Sequence, residues 1–270
     1  TAQMFSYEIP LGLSIVGIFM VFSTLNVNEI VYGQGELLFG ILPKWGVFVQ
    51  PLGFIIFMCA AFAEANRTPF DIPEGESEIV AGYHVEYSGM KFALFYMGEY
   101  VAMVLSSAII ATLFFGGWQI PYVSTADMVS NPELVLKVML IAGAVFSLIG
   151  AILFVGYAKR LPGTWGNKND WEGHVLATFS ILFLVGCVAA LAMSWNADIP
   201  EWGARTITLV AQLGTFLMKV VFFVWMFIWI RWTLPRFRYD QLMRLGWKTL
   251  IPLAFVNIFA TGLIILLLQR

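Results

Sequence analysis

The sequence predicts an all-α protein, a bundle of helices that crosses a membrane seven times. Hydrophobic residues make up 60% of the 270 residues and charged residues only 12%, whereas soluble domains have about 45–50% and about 25%. The net charge of -2 provides no basic surface for nucleic acid, and the high hydrophobicity excludes a disordered chain. The fold class follows from this composition together with seven long apolar runs.

The seven runs approach the roughly 20 apolar residues that a helix needs to cross the hydrocarbon core. In chain order they are Pro10–Leu25, Val47–Ala63, Phe92–Phe115, Leu134–Ala158, His174–Trp195, Thr206–Ile230 and Leu250–Leu268. The first two are short, and each is expected to gain a turn from its flanks. We divide the chain into a membrane bundle at 1–120, a helix pair at 121–203 and two final spans at 204–270.

Lysine and arginine residues predict the orientation, because the cytoplasmic loops of membrane proteins are enriched in them. Ten of the fifteen lie on one side, in or beside the segments 64–91, 159–173 and 231–249. The other side receives only three or four. These three segments are therefore predicted to face the cytoplasm.

Two of the cytoplasmic segments carry opposite charges. Segment 64–86 has six acids and one base, a net charge of -5, while segment 231–248 has five bases and one acid, a net charge of +4. Pro, Gly and aromatic residues interrupt the acidic segment, which favours a folded, partly buried loop over a solvated one. Burial raises the pKa of such carboxyl groups and couples them, as proton exchange near neutral pH requires. The opposite charges predict that the two loops approach each other.

Two charged residues lie well inside predicted spans, whereas Lys137 lies near the start of one. Glu99 is seven residues into the third span, and Lys219 is near the middle of the sixth. A charge at the bilayer centre costs about 3 kcal/mol or more unless it meets a partner or a hydrated cavity. We therefore favour a proton or ion pathway over a structural ion pair, and we expect Lys219 near Glu99. Glu8, beside Tyr7, lies at the entrance of the first span.

Several kinds of site have no support in the sequence. No GxGxxG, P-loop, HExxH or GxSxG motif occurs, so nucleotide binding, zinc proteolysis and serine hydrolysis are not indicated. Cys59 and Cys187 stand far apart in separate apolar runs. We expect them to be two buried small apolar side chains, and we predict no metal site.

Four segments strongly resemble the H-subunit family of bacterial NADH:quinone oxidoreductase, respiratory complex I, whose mitochondrial counterpart is subunit 1. They are AQMFSYEIPLGLS at 2–14, AEANRTPFDIPEGESEIVAGYHVEYSGMKFALFYMGEY at 63–100, LFFGGWQ at 113–119 and WIRWTLPRFRYDQLMRLGWK at 229–248. Their order along the chain is also the family's order. The family normally has eight spans, so we expect three spans to precede Thr1, and the pair at 121–203 to be a two-span insertion.

The resemblance implies a membrane-arm subunit at the junction with the hydrophilic arm, in a bacterial cell inner membrane. It would help to enclose the chamber for ubiquinone or menaquinone and would begin the proton-coupling route. Its partners would be the hydrophilic quinone-site subunits, the other membrane-arm subunits and membrane lipid. Quinone would be the substrate, flavin and iron–sulfur clusters would belong to other subunits, and this chain alone would hold no complete active site.

The resemblance also assigns roles to individual residues by their positions in these motifs. The chamber loop and acidic channel would contain Glu8, Glu64, Arg67, Asp71, Glu74, Glu76, Glu78, Glu86, Glu99 and Lys219. The opposing basic loop would contribute Arg231, Arg236, Arg238 and Asp240.

Three alternatives stay open. One is the related subunit of membrane-bound hydrogenases, which shares much of the PFD…E…EYSG pattern but uses no quinone. Another is a stand-alone cation/proton antiporter, a class often built on paired inverted repeats, and no repeat is visible here. A purely structural scaffold would leave the cost of Glu99 and Lys219 unexplained.

Overall fold

A computed structural model of the chain describes residues 2–38, 40–65, 69–70, 87, 89–160, 172–193, 199–235 and 237–268. Within these ranges the chain is helical apart from its connections and one pair of two-residue strands, which confirms the predicted all-α class. The helices are α1 (Ala2–Phe22), α2 (Val27–Gln34), α3 (Gly46–Val49), α4 (Pro51–Glu64), α5 (Met90–Phe114), α6 (Thr125–Ser130), α7 (Pro132–Arg160), α8 (Glu172–Met193), α9 (Glu201–Thr233), α10 (Tyr239–Arg244) and α11 (Ile251–Leu268). A π-helical turn, Leu245–Leu250, joins α10 to α11. The strands, β1 (Leu37–Leu38) and β2 (Leu42–Pro43), pair antiparallel.

Six stretches of helix in the described part of the chain are long and apolar enough to cross a membrane. They are Met4–Phe22, Met90–Phe114, Pro132–Tyr157, Gly173–Met193, Glu201–Thr233 and Tyr239–Leu268. Each corresponds to one of the predicted spans. The remaining span, Val47–Ala63, is shorter than predicted.

The second predicted span is divided at Gln50 into α3 and the 14-residue α4. Proline lacks a backbone N–H and disfavours helical conformation in the residue before it. Gln50, which precedes Pro51, accordingly has φ -131° and ψ 60°. At a rise of about 1.5 Å per residue, α4 is about 21 Å long, less than the roughly 30 Å of the hydrocarbon core. Among the described residues, six helical stretches are thus long enough to span a membrane, and the apolar helix α4 is not.

The chain forms two compact units, one of Thr1–Val123 with Leu213–Arg270 and one of Ser124–Gln212. In the first unit α1 packs against both α4 and α11. Its core is rich in aromatic rings: Phe62 lies 4.1 Å from Phe227 between ring centroids, and Phe57 lies 5.5 Å from Phe114. These buried rings fix the helices that carry the candidate site.

The second unit is built around the antiparallel pair α7 and α8. A Cβ added at Gly143 would lie 3.3 Å from Cys187 Sγ, and one added at Gly150 would lie 3.4 Å from Ser180 Oγ. Small residues thus allow the two helices to approach closely, as is common between membrane helices. Cys187 is a buried thiol in this interface, as predicted, whereas Cys59 of α4 is only partly buried, so that prediction was wrong for Cys59.

Candidate functional site

The acidic and basic loops meet at one end of the first unit. Phe70 stacks on Phe237 with ring centroids 5.4 Å apart, and the backbone N–H of Phe237 donates to the carbonyl of Pro69 across 2.9 Å. Phe70 is 5% exposed, so the contact belongs to the core. The prediction that the two loops approach each other is confirmed by this contact. The opposite charges also lead us to expect at least one of Arg231, Arg236 and Arg238 within salt-bridge distance of an acid in segment 64–91. This stays a prediction, because Glu64 is the one acid of that segment among the described residues.

Most of the acidic loop lies outside the described residues. The predicted site residues that fall there are Arg67, Asp71, Glu74, Glu76, Glu78, Glu86 and, in the basic loop, Arg236. Of the other basic-loop residues, Arg231 lies in the last turn of α9, and Arg238 directly precedes α10. Asp240 lies in the first turn of α10, where a negative charge is favourable beside the free N–H groups of the helix.

Glu8 and Glu64 are brought together by the packing of α1 against α4. Glu64 is the last residue of α4 and lies beyond the apolar run that was predicted to end at Ala63. Partial burial raises the pKa of Glu64 above its ordinary value, and the nearby charge of Glu8 raises it further. Both acids were assigned to the acidic channel in the sequence analysis, and in the structure they are close enough for their charges to interact.

Glu99 lies on the inner face of α5. It is 9% exposed, and the buried residues Met103, Ser106, Ser107 and Ile110 follow it at helical spacing on the same face. Met103 and Ile110 belong to the main hydrophobic core, so this face packs within the first unit. The carboxyl group of Glu99 is thus held inside the protein, where an ionisable residue of a membrane helix is expected.

Lys219 does not lie beside Glu99, and that expectation was wrong. Its Nζ donates to three backbone carbonyls, those of Phe115, Gly117 and Gln119, at 2.8 Å each. These bonds use all three hydrogens of the ammonium group, and they lie just past the end of α5. Because α5 rises about 1.5 Å per residue, Glu99 is about 22 Å away along the helix axis. Lys219 satisfies carbonyls at this helix end, where a positive charge is favourable.

The turn that receives Lys219 explains the LFFGGWQ segment. Gly116 and Gly117 have φ values of 72° and 51°, a conformation that glycine adopts without a Cβ clash. A Cβ at Gly116 would also lie 2.9 Å from Trp45 Nε1. Trp45 in turn lies beneath the Lys219 ammonium, 5.4 Å from its ring centroid.

Gln34 is a structural residue of this turn that sequence reasoning missed. Fully buried, it donates to the carbonyls of Thr112 and Leu113 and accepts from the backbone N–H groups of Gly46 and Gly116. One amide thereby joins α2, α3 and the end of α5. The available signal was a glutamine between two glycines at the end of an apolar helix.

The π-helical turn brings two of the resembling segments together. Gly246, in the last of the four segments, packs so closely on Ser6, in the first, that an added Cβ would lie 2.5 Å from the Ser6 carbonyl oxygen. Such turns are frequent at functional sites, because the extra residue alters the local register of a helix. Here it sets α11 against α1 next to Tyr7 and Glu8.

The family model described as NADH dehydrogenase matches residues 1–160 and 173–262. The matched ranges include α7 and all of α8 after Glu172.

Individual relatives agree with that match. The H-subunit of NADH-quinone oxidoreductase from Bdellovibrio bacteriovorus is 39% identical over 275 residues, covering 98% of this chain and 55% of the relative. The H-subunit numbered 1 of NADH-quinone oxidoreductase from Cytophaga hutchinsonii is 37% identical, and the match covers 99% of this chain and 54% of the relative. Subunit 8 of the same enzyme from Rhodothermus marinus is 36% identical, and the match covers 97% of this chain and 56% of the relative. The chain spans about half the length of these relatives. The matched ranges and these identities establish that the chain belongs to the NADH dehydrogenase family.

Proposed function

We propose that the chain is part of a membrane-arm subunit of a proton-translocating NADH:quinone oxidoreductase. Its described helices are long and apolar enough for a multi-pass membrane protein, and its relatives are named as subunits of that enzyme. In this proposal the end of the bundle where Pro69, Phe70 and Phe237 meet faces the cytoplasm of a bacterial cell. It helps to enclose the quinone chamber together with the hydrophilic subunits.

The observation that carries the proposal is the buried carboxyl group of Glu99, on the inner face of α5 in a chain of this family. Glutamate inside a membrane helix is costly, so a role that uses its proton is the default explanation. Glu8 and Glu64 supply two further acids at the loop end of the same unit. We assign these three residues, with the acids of segment 64–91, to the entry of the proton-coupling route.

The reaction would be divided between subunits. Quinone is the substrate, and the electrons would come from redox groups held elsewhere in the complex. Within the described residues no cluster of three or more His, Cys, Asp or Glu side chains is arranged to hold a metal ion. The contribution of this chain would be to form part of the chamber wall and to move protons on carboxyl groups.

The test is Glu99→Gln in the full-length subunit within the assembled complex. Glutamine keeps the size of the side chain and its hydrogen-bonding capacity but cannot carry a proton. We expect assembly to be retained, while NADH:quinone turnover and proton pumping fall about tenfold or more. Glu99→Asp should restore part of the activity, because it restores a carboxyl group.

The matched control is Glu36→Gln, which removes an exposed acid that forms a surface ion pair with Lys44 at 3.2 Å. It should leave both activities unchanged. Pumping per NADH at the wild-type level in the Glu99→Gln variant would remove Glu99 from the proton route and leave it a structural residue.

A further inference from the structure

A second polar site lies where α1, α4 and α11 meet, apart from the acids of the proposed route. Its side chains are Gln50, just before α4, and Asn257 and Thr261 on α11, which are 5%, 6% and 5% exposed. Each is surrounded by helices rather than solvent. A buried amide costs free energy unless its hydrogen-bonding atoms find partners. The hydrogen-bonding atoms of these amides that lack a protein partner therefore indicate what can bind at this site.

Among the described residues, hydrogen-bond partners exist for only some of the polar atoms of these three side chains. Gln50 Nε2 donates to Thr261 Oγ1 across 2.7 Å, and Thr261 Oγ1 donates to the backbone carbonyl of Asn257 across 2.7 Å. Two atoms are left over, Gln50 Oε1 and Asn257 Nδ2, each fully buried and without a hydrogen-bond partner among the described residues. One is an acceptor and the other is a donor.

Both atoms lie close to the same two glycines. A Cβ added at Gly17 of α1 would lie 2.8 Å from Gln50 Oε1 and 3.1 Å from Asn257 Nδ2, so the two atoms are at most about 6 Å apart. A Cβ added at Gly53 of α4 would lie 3.5 Å and 3.3 Å from the same atoms and 3.1 Å from the Ser14 carbonyl oxygen. Glycine at both positions allows the two amides to approach the backbones of α1 and α4.

We propose that one ordered water molecule binds at this junction, donating to Gln50 Oε1 and accepting from Asn257 Nδ2. Its second hydrogen can be given to the free lone pair of the Ser14 carbonyl, which would complete the roughly three bonds typical of a buried water. Water also serves either orientation of the Asn257 amide, because it can both donate and accept.

The water would join three helices that are distant in the sequence. It would bind the middle of α1 to the start of α4 and to α11, and the other ends of α1 and α4 carry Glu8 and Glu64. The inference rests on the geometry of this junction and does not depend on the proposed function.

The direct test is a high-resolution density map of the assembled complex. We expect a spherical peak within about 2.7–3.2 Å of both Gln50 Oε1 and Asn257 Nδ2. A direct hydrogen bond between the two amides, with no peak between them, would overturn the proposal. So would a peak surrounded only by oxygen atoms, which would indicate a cation.

Variants provide an independent test. Gly17→Ala places a methyl group in the space between the two amides, and Gly12→Ala is the matched control on the same helix, because nothing lies within 4 Å of its added Cβ. We expect Gly17→Ala to remove the water peak and lower the thermal midpoint of the complex, and Gly12→Ala to do neither. Persistence of the peak in the Gly17→Ala map would contradict the proposed position of the water.

Discussion

The backbone N–H of Phe237 donates to the carbonyl of Pro69 across 2.9 Å, so the basic and acidic segments share a main-chain hydrogen bond. The two residues are separated by α5, the helix pair and α9 in the sequence. Phe70 adds a ring stacked on Phe237 at 5.4 Å. A displacement of one segment should therefore displace the other at this contact.

Replacing Phe70 by alanine should loosen this junction. The ring is 5% exposed, and removal of a buried phenylalanine ring typically costs about 3–5 kcal/mol. We expect faster hydrogen exchange at the Phe237 amide in the assembled complex, measured by mass spectrometry, and a smaller effect for Phe70→Leu. Phe259→Ala is the control, because Phe259 is 74% exposed. Unchanged exchange in Phe70→Ala would show that the stacked ring does not hold the loops together.

Lys219→Met should impair stability more than proton coupling. The change leaves three carbonyls without their donor, and each unsatisfied buried group costs about 1–3 kcal/mol. We expect less assembled complex and faster thermal inactivation, with pumping per NADH preserved in the fraction that assembles. Lys44→Met, which removes a surface ion pair with Glu36 and a cation–π contact with Phe22 at 5.6 Å, should cost about 1 kcal/mol. A Lys219→Met complex that assembles fully but fails to pump protons would show that Lys219 takes part in proton transfer.

Gly246→Ala should separate α11 from α1. The added Cβ would lie 2.5 Å from the Ser6 carbonyl oxygen and 3.0 Å from Ser6 Cβ, and backbone cannot yield as a flexible side chain can. Overpacking of this kind costs about 1–3 kcal/mol. The matched control is Gly214→Ala on α9, where the new methyl group meets nothing within 4 Å and helix propensity improves. Equal thermal midpoints for the two variants would argue against a tight contact at Ser6.

Glu64→Gln should make stability less dependent on pH. The pKa of Glu64 is raised in the folded protein, so the folded state binds the proton more tightly, and stability falls as the pH rises from 4.5, the ordinary value, through the raised one. The glutamine variant lacks this loss. We expect its thermal midpoint to exceed that of the wild type at pH 8, and the difference to shrink as the pH falls toward 4.5. A constant difference at all pH values would contradict the titration of Glu64.

Properties that depend on single runs of sequence were predictable. Long apolar runs predicted the helical class, and six of the seven predicted spans correspond to long apolar helices, because a chain in hydrocarbon must satisfy its backbone within each segment. The buried position of Glu99 was also predictable, since a charge in such a run must turn inward. Even the break in the second span has a local cause, the Gln50–Pro51 pair.

Contacts between runs were decided by the tertiary structure alone. A nearly uniform apolar helix has little contrast between its faces, so its sequence does not fix its rotation or its depth against a neighbour. For this reason Lys219 was expected beside Glu99, whereas it binds the carbonyls after α5. The approach of Gln50 to Asn257 across Gly17 was equally hidden, because it depends on how three separate helices pack. The sequence by itself determined which segments form apolar helices, and packing determined which polar groups those helices bring together.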